Sequence, residues 1–168
     1  MNDGGKAWME DEGEALMEDG GEAWRTRLVH DQLCTSFEGG SGHLYSKWLP
    51  TILESFPNLK SLSWECDDRF KEPHFEGMNQ VNFSYVPECL HSSLELVDFK
   101  VPFSGLAGEM KVVRYFLENS ALLKKLTLRL RYRSSPKDKF VKKLLRIPKG
   151  STECRVVIFL IVKKSRKN

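Results

Sequence analysis

The chain has no long hydrophobic run, few cysteines and few histidines, and each scarcity removes a class of function. Its longest uninterrupted apolar stretch is Val156–Val162, seven residues. A membrane-spanning helix needs about 20, so this stretch is expected to be a buried strand, and no membrane association is expected. The first apolar residues are broken up by carboxylates and form no leader-like core. An intracellular protein, nuclear or cytoplasmic, is therefore expected. The four cysteines Cys34, Cys66, Cys89 and Cys154 stand far apart with no Cys-x-x-Cys pair, which suits reduced thiols better than a disulfide framework. The four histidines are His30, His43, His74 and His91. Cys66 with His74 and Cys89 with His91 differ in spacing and do not make the twice-repeated ligand pair of a closed zinc site. Asp67-Asp68 followed by Glu72 reads as a solvated turn rather than a divalent-cation site. Phe37-Glu38-Gly39-Gly40-Ser41-Gly42 lacks the Gly-Lys-Ser/Thr of a phosphate loop. No set of residues fills the roles that a reaction needs. The expectation is a protein that is not an enzyme, with no catalytic, cofactor-binding or metal-binding residues and no cofactor.

What is present is a foldable chain with a polarised charge. Its 168 residues are 40% apolar and 11% aromatic, enough for a core without metal or disulfide support. The net charge is +3, unevenly spread. Residues 1–24 hold eight acids and one base, whereas residues 123–168 hold sixteen bases and two acids. Residues 6–25 repeat an imperfect octad, with Trp8, Leu16 and Trp24 in register. A period of eight drifts around a helix of about 3.6 residues per turn, and two of the units close on glycine. Residues 1–25 are therefore expected as a disordered acidic tail. Residues 26–46 read as a linker or irregular segment, residues 47–70 as a helix-then-strand unit, residues 80–162 as a second domain, and residues 163–168 as a basic tail.

The pattern sharpens from Tyr45. Trp48, Ile52 and Phe56 fall at i, i+4, i+8 with Leu49 and Leu53 beside them, which predicts a short helix ending at Pro57-Asn58. Leu59, Leu62 and Trp64 predict a strand, and a short extended piece is expected at Val81–Tyr85. Val86–Leu90 reads as a turn, and Leu94–Val101 as the next strand. Leu106, Met110, Val113 and Leu117 make one helical face. Leu126, Leu128 and Leu130 alternate with Thr127, Arg129 and Arg131, as in a strand with one buried face. Ser135-Pro136 predicts a helix start, Phe140, Val141, Leu144 and Leu145 the apolar face that follows, and Cys154–Val162 a last strand. Leu62, Leu94, Leu126 and Ile158 are evenly spaced by 32 residues. Such a recurrence predicts an α/β fold: a short leucine-rich-repeat-like β/α stack with a mostly parallel sheet and helices on one side.

Two stretches resemble a known family. Leu49–Trp64, LPTILESFPNLKSLSW, resembles the last leucine-rich repeat of plant F-box proteins. Residues 81–131 resemble the FBD domain that follows it there. The matches are Val86-Pro87-Glu88-Cys89-Leu90, Ser92-Ser93-Leu94-Glu95, Tyr115-Phe116-Leu117-Glu118-Asn119-Ser120 and Leu123-Lys124-Lys125-Leu126, and the closing IPKGSTECRVVI is similar to the family's last strand. The resemblance implies a protein-interaction module akin to the substrate-side part of an F-box ubiquitin-ligase subunit. It also implies packing roles for these blocks. Leu49-Pro50 starts as an F-box does, but the expected second and third F-box helices do not follow, so no binding to a Skp-type adaptor is expected and the protein partner stays unknown. Two other readings stand beside this one. The bases Arg129, Arg131, Arg133, Lys137, Lys139, Lys142, Lys143 and Arg146, taken as one face, would suit a nucleic-acid-associated protein. The third reading is a remnant with no retained biochemical role.

Overall fold

In a computed structural model of the chain, the described residues are 13–19, 22–29, 32–38, 45–66, 85–103, 107–131 and 137–161. They form seven strands and four helices. Three strands come first: β1 (Gly13–Asp19), β2 (Glu22–Val29) and β3 (Gln32–Glu38). Helix and strand then alternate: α1 (Tyr45–Glu54), β4 (Ser61–Cys66), α2 (Glu88–Ser92), β5 (Leu96–Phe103), α3 (Ala107–Asn119), β6 (Lys125–Arg131), α4 (Lys137–Leu145) and β7 (Arg155–Ile161). Among the described residues the strands make one seven-stranded sheet in sequence order. β1, β2 and β3 pair antiparallel, and every later neighbour is parallel. Parallel neighbours need a crossover between them, and α1, α2, α3 and α4 supply one each. The mixed α/β architecture and mostly parallel sheet match the reading of the sequence.

Alternation along the strands sorts residues to two faces. Leu62 and Trp64, Val97 and Phe99, and Leu126, Leu128 and Leu130 are buried, and they share one core with the apolar faces of the helices. α1 contributes Leu49, Ile52 and Leu53, α3 contributes Val112, Val113, Tyr115, Phe116 and Leu117, and α4 contributes Phe140 and Leu144. Aromatic rings fill the middle. Phe99 meets Phe103 edge-on at 5.4 Å and Phe116 at 5.7 Å between centroids. Tyr115 lies 5.6 Å from Phe116.

The lateral register corrects the 32-residue period. Leu33, Leu62, Val97, Leu126 and Val156 stand side by side, so the true spacings are 29, 35, 29 and 30 residues. Leu94 is not in the ladder: it is buried just before β5, where its N–H bonds the Cys89 carbonyl at 2.8 Å. Equal numbering was a coincidence of unequal loops. What does recur is the start of each strand. Leu96 N–H bonds the Lys60 carbonyl at 3.1 Å, Lys125 N–H the Glu95 carbonyl at 3.2 Å, and Arg155 N–H the Lys124 carbonyl at 2.9 Å.

Other expectations shift too. The acidic segment 1–25, read as disordered, carries β1 and the first half of β2 within its described residues, and these two strands pair antiparallel from Gly13 opposite Leu28 to Asp19 opposite Glu22. Residues 26–46, read as a linker, hold β3 and the start of α1. Val86–Leu90, read as a turn, leads into α2, whose first turn follows Pro87, where the missing N–H costs nothing. In α4, Leu145 is 69% exposed. Phe140, Leu144 and Ile147 point inward, and one residue beyond Leu144 rotates about 100° away from that stripe. The piece expected at Val81–Tyr85 and the helix start at Ser135-Pro136 fall, apart from Tyr85, outside the described residues.

Candidate interaction surface

The blocks that resemble the FBD family act as clamps between successive units. In α2 the Cys89 thiol donates to the Leu53 carbonyl of α1 at 3.5 Å. The Ser93 hydroxyl reaches the carbonyls of Leu59 at 2.8 Å and Pro57 at 3.1 Å, tying α2 to the loop before β4. On the other side, Ala121 N–H bonds the Leu90 carbonyl at 3.0 Å, and the Tyr115 hydroxyl donates to the Tyr85 carbonyl at 3.1 Å. The closing block does the same one unit later: Gly150 N–H bonds the Leu117 carbonyl at 2.7 Å, and Lys149 Nζ bonds the Cys154 carbonyl at 3.1 Å. Removing the Ser93 hydroxyl should uncouple two of these units. Ser93→Ala is expected to lower stability by about 1–2 kcal/mol, since carbonyl acceptors lose their donor. Urea denaturation should show a lower midpoint at an unchanged slope.

The same geometry bears on the residues considered for chemistry. Burial drives the Cys89 thiol up to about 11, which keeps it protonated and poorly nucleophilic. His91 is exposed while Cys89 is fully buried, as expected for positions i and i+2 on a helix, so the pair is not brought together. Cys154 is also buried, with its thiol shifted upward by desolvation. His30, His43, His74, Asp67, Asp68 and Glu72 lie outside the described residues, as does the Cys66 side chain. Among the described residues no three His, Cys, Asp or Glu side chains gather as a metal site would require. No helix among them is long and apolar enough to cross a membrane.

The sheet face away from the helices has a different character. It carries Ser61, Ser63 and Glu65 from β4, Leu96, Asp98 and Lys100 from β5, Lys125, Thr127 and Arg129 from β6, and Arg155, Val157 and Phe159 from β7. Charges pair across the strands. Lys100 bonds Glu65, which holds its ammonium above the usual lysine range. Arg129 bonds Asp98 at 2.5 Å and the Phe99 carbonyl at 2.8 Å, and its guanidinium stands 5.8 Å from the centre of the Phe159 ring. Such half-exposed pairs contribute about 0–1 kcal/mol each, so their main effect is to fix side chains in place. Around them stand exposed apolar groups, Leu96 and Phe159, at 43% and 52% accessibility.

The basic residues grouped in the sequence do not form one face. Arg129 lies on the open sheet face, tied to Asp98. Lys139, Lys142 and Lys143 on α4, and Arg146 just after it, are exposed, and the inward residues of that helix pack on the opposite face of the sheet. One strand and one helix of the same unit necessarily point their solvent sides in opposite directions. Arg133 is outside the described residues, as are the side chains of Arg131 and Lys137. The cross-strand pairs are not legible in the sequence, because Glu65 and Lys100 are 35 residues apart and Asp98 and Arg129 are 31, and only the register brings them together.

Helix, parallel strand, and one helix-free sheet face define the class of a leucine-rich-repeat-like stack. Residues 80–128 match the FBD family. A stretch of 113 residues is 55% identical to an F-box/FBD/LRR-repeat protein of Arabidopsis thaliana, covering 66% of this chain and 28% of that one. An FBD-associated F-box protein of Arabidopsis thaliana is 56% identical over 111 residues, 66% of this chain and 24% of its own. Another FBD-associated F-box protein of that plant is 49% identical over 112 residues, 66% of this chain and 23% of its own. The chain belongs to the plant FBD family. It spans about a quarter of the length of these relatives. No solved structure matches it.

Proposed function

We propose that the chain is a non-catalytic protein-interaction module, intracellular, equivalent to the substrate-side part of an F-box ubiquitin-ligase subunit. The observation that supports this most directly is the helix-free sheet face, where Leu96 and Phe159 stand exposed among charges held by cross-strand pairs. A surface that is preorganised and partly apolar suits a protein partner. The 168-residue chain by itself does not bind a Skp-type adaptor: Leu49-Pro50 sits in α1, which feeds directly into β4 instead of a helical module.

The test is quantitative affinity capture from plant-cell extract with three baits. These are the unmodified chain, an open-face variant (Leu96→Glu with Lys100→Glu) and an α4 variant (Lys142→Glu with Lys143→Glu). A protein held by the first and third but lost at least tenfold by the second supports the reading. Identical captures with all three would sink it, and recovery of a Skp-type adaptor with the unmodified chain would sink the adaptor claim. The second reading, nucleic-acid association, is supported by the exposed stripe of Lys139, Lys142 and Lys143 on α4, continued by Arg146 in the turn that follows. It requires salt-dependent heparin retention that the α4 variant loses.

A further inference from the structure

β7 is the last strand of the sheet among the described residues, with β6 as its one neighbour. Its polar groups divide strictly. Arg155 N–H points at the Lys124 carbonyl of the adjacent unit, and in a parallel ladder alternate residues turn the same way. Val157, Phe159 and Ile161 therefore face β6, whereas the N–H and C=O of Val156, Ile158 and Leu160 point away from the sheet. Natural edges are blunted by lysine, proline, a bulge or brevity. β7 is seven residues long and has no charge or proline after Arg155. Phe159 and Leu160, adjacent and hence on opposite faces, are both about half exposed, at 52% and 54%.

The exposed charges on β7 and beside it on β6 are basic, with one acid, Glu153, exposed just before the strand. Arg155 and its lateral partner Lys125 are exposed, the sequence continues Lys163-Lys164-Ser165-Arg166-Lys167, and no acid occurs from Cys154 to the last residue. Arg155 and Lys125 attract acidic residues laid beside the edge and repel basic ones.

We propose that β7 is a strand-addition site for an extended segment of a partner protein, apolar in its centre and acidic at its flanks. Backbone bonds to Val156, Ile158 and Leu160 would supply affinity, and the apolar and basic rims the selectivity. The proposal rests on the reading of the chain as an interaction module, and it adds a partner class and a second place on the sheet.

Fluorescence polarisation with synthetic peptides tests it. One probe has alternating apolar residues between paired glutamates, and its counterpart has paired lysines instead. The acidic-flanked peptide is expected to bind at least tenfold tighter at low salt, with the preference shrinking at high salt. Leu160→Pro removes an outward donor and no bond to β6, so it should abolish binding while circular dichroism stays unchanged. If that variant loses its fold, Arg155→Glu with Lys125→Glu decides, with an expected loss of fivefold or more. Equal binding of the two peptides, or binding indifferent to both variants, overturns the proposal. So does self-association by light scattering, abolished by Leu160→Pro, with neither peptide bound, since the occupant would then be a second copy. If the peptides fail but affinity capture still depends on Leu96, the edge site falls and the interaction module stands.

Discussion

Phe116→Ala should destabilise the protein by about 3–5 kcal/mol. Phe116 is fully buried on α3 and packs against β5. Its ring contacts Phe99 of β5 edge-on and lies beside Tyr115, and Phe99 in turn contacts Phe103 and faces Trp64 across 6.3 Å. Truncation removes the ring's transfer free energy and leaves a cavity whose walls are themselves fixed aromatics, so little collapse can refill it. Domains of this size have about 5–15 kcal/mol in total, so the variant should unfold at far lower urea or at a much lower Tm. Leu145→Ala on α4 is the matched control. That side chain is 69% exposed, and its loss should cost no more than about 0.5 kcal/mol. Comparable effects at the two sites would contradict the packing described here.

Gly150→Ala should also destabilise, by roughly 1–3 kcal/mol, against the usual sign for such a change. Ordinarily, alanine stabilises by restricting the unfolded chain, by about 0.4–1 kcal/mol. Here a Cβ would stand 2.8 Å from the Glu118 carbonyl oxygen and 3.2 Å from that of Ser120. Both are backbone atoms at the end of α3 and cannot rotate aside. The clash can be relieved only by moving the segment away, which stretches the 2.7 Å bond from Gly150 N–H to the Leu117 carbonyl. Gly150→Val should be worse, and Thr152→Ala, two residues on and exposed, near neutral. The comparison separates close approach of backbone from a general cost of altering the loop.

Both predictions fall inside blocks by which the chain resembles its family, Tyr115–Ser120 and Ile147–Ile158. That gives those blocks a physical meaning. Cys89, Ser93, Tyr115 and Gly150 each bond or abut the backbone of a neighbouring unit. A β/α stack is held by contacts between successive units, and these residues make several of them. The recognisable part of the sequence is thus the part that holds the stack together. The exposed groups Leu96, Lys100 and Phe159 on the open face, to which the proposed interaction is assigned, lie just outside these blocks.

The sequence by itself determined the order of helices and strands from Tyr45 onward, α2 excepted, because each of the others has its own apolar period. Two-residue alternation at Leu126–Leu130 and four-residue recurrence at Ile52 or Val113 are local signals, set by which side of one element meets the core. It determined the family as well, through contiguous words such as Val86-Pro87-Glu88-Cys89-Leu90. Only the tertiary structure decided register, and with it everything that depends on which residues stand side by side. Leu33, Leu62, Val97, Leu126 and Val156 align through loops of unequal length, so no fixed count along the chain could find them. The pairing of Asp98 with Arg129, the close approach of Gly150 to Glu118 and the edge position of β7 among the described residues follow from that alignment. A single strand carries no information about its lateral neighbour beyond its pattern, because backbone hydrogen bonds are the same for every residue, and only the packed helices between strands fix how far each one slides.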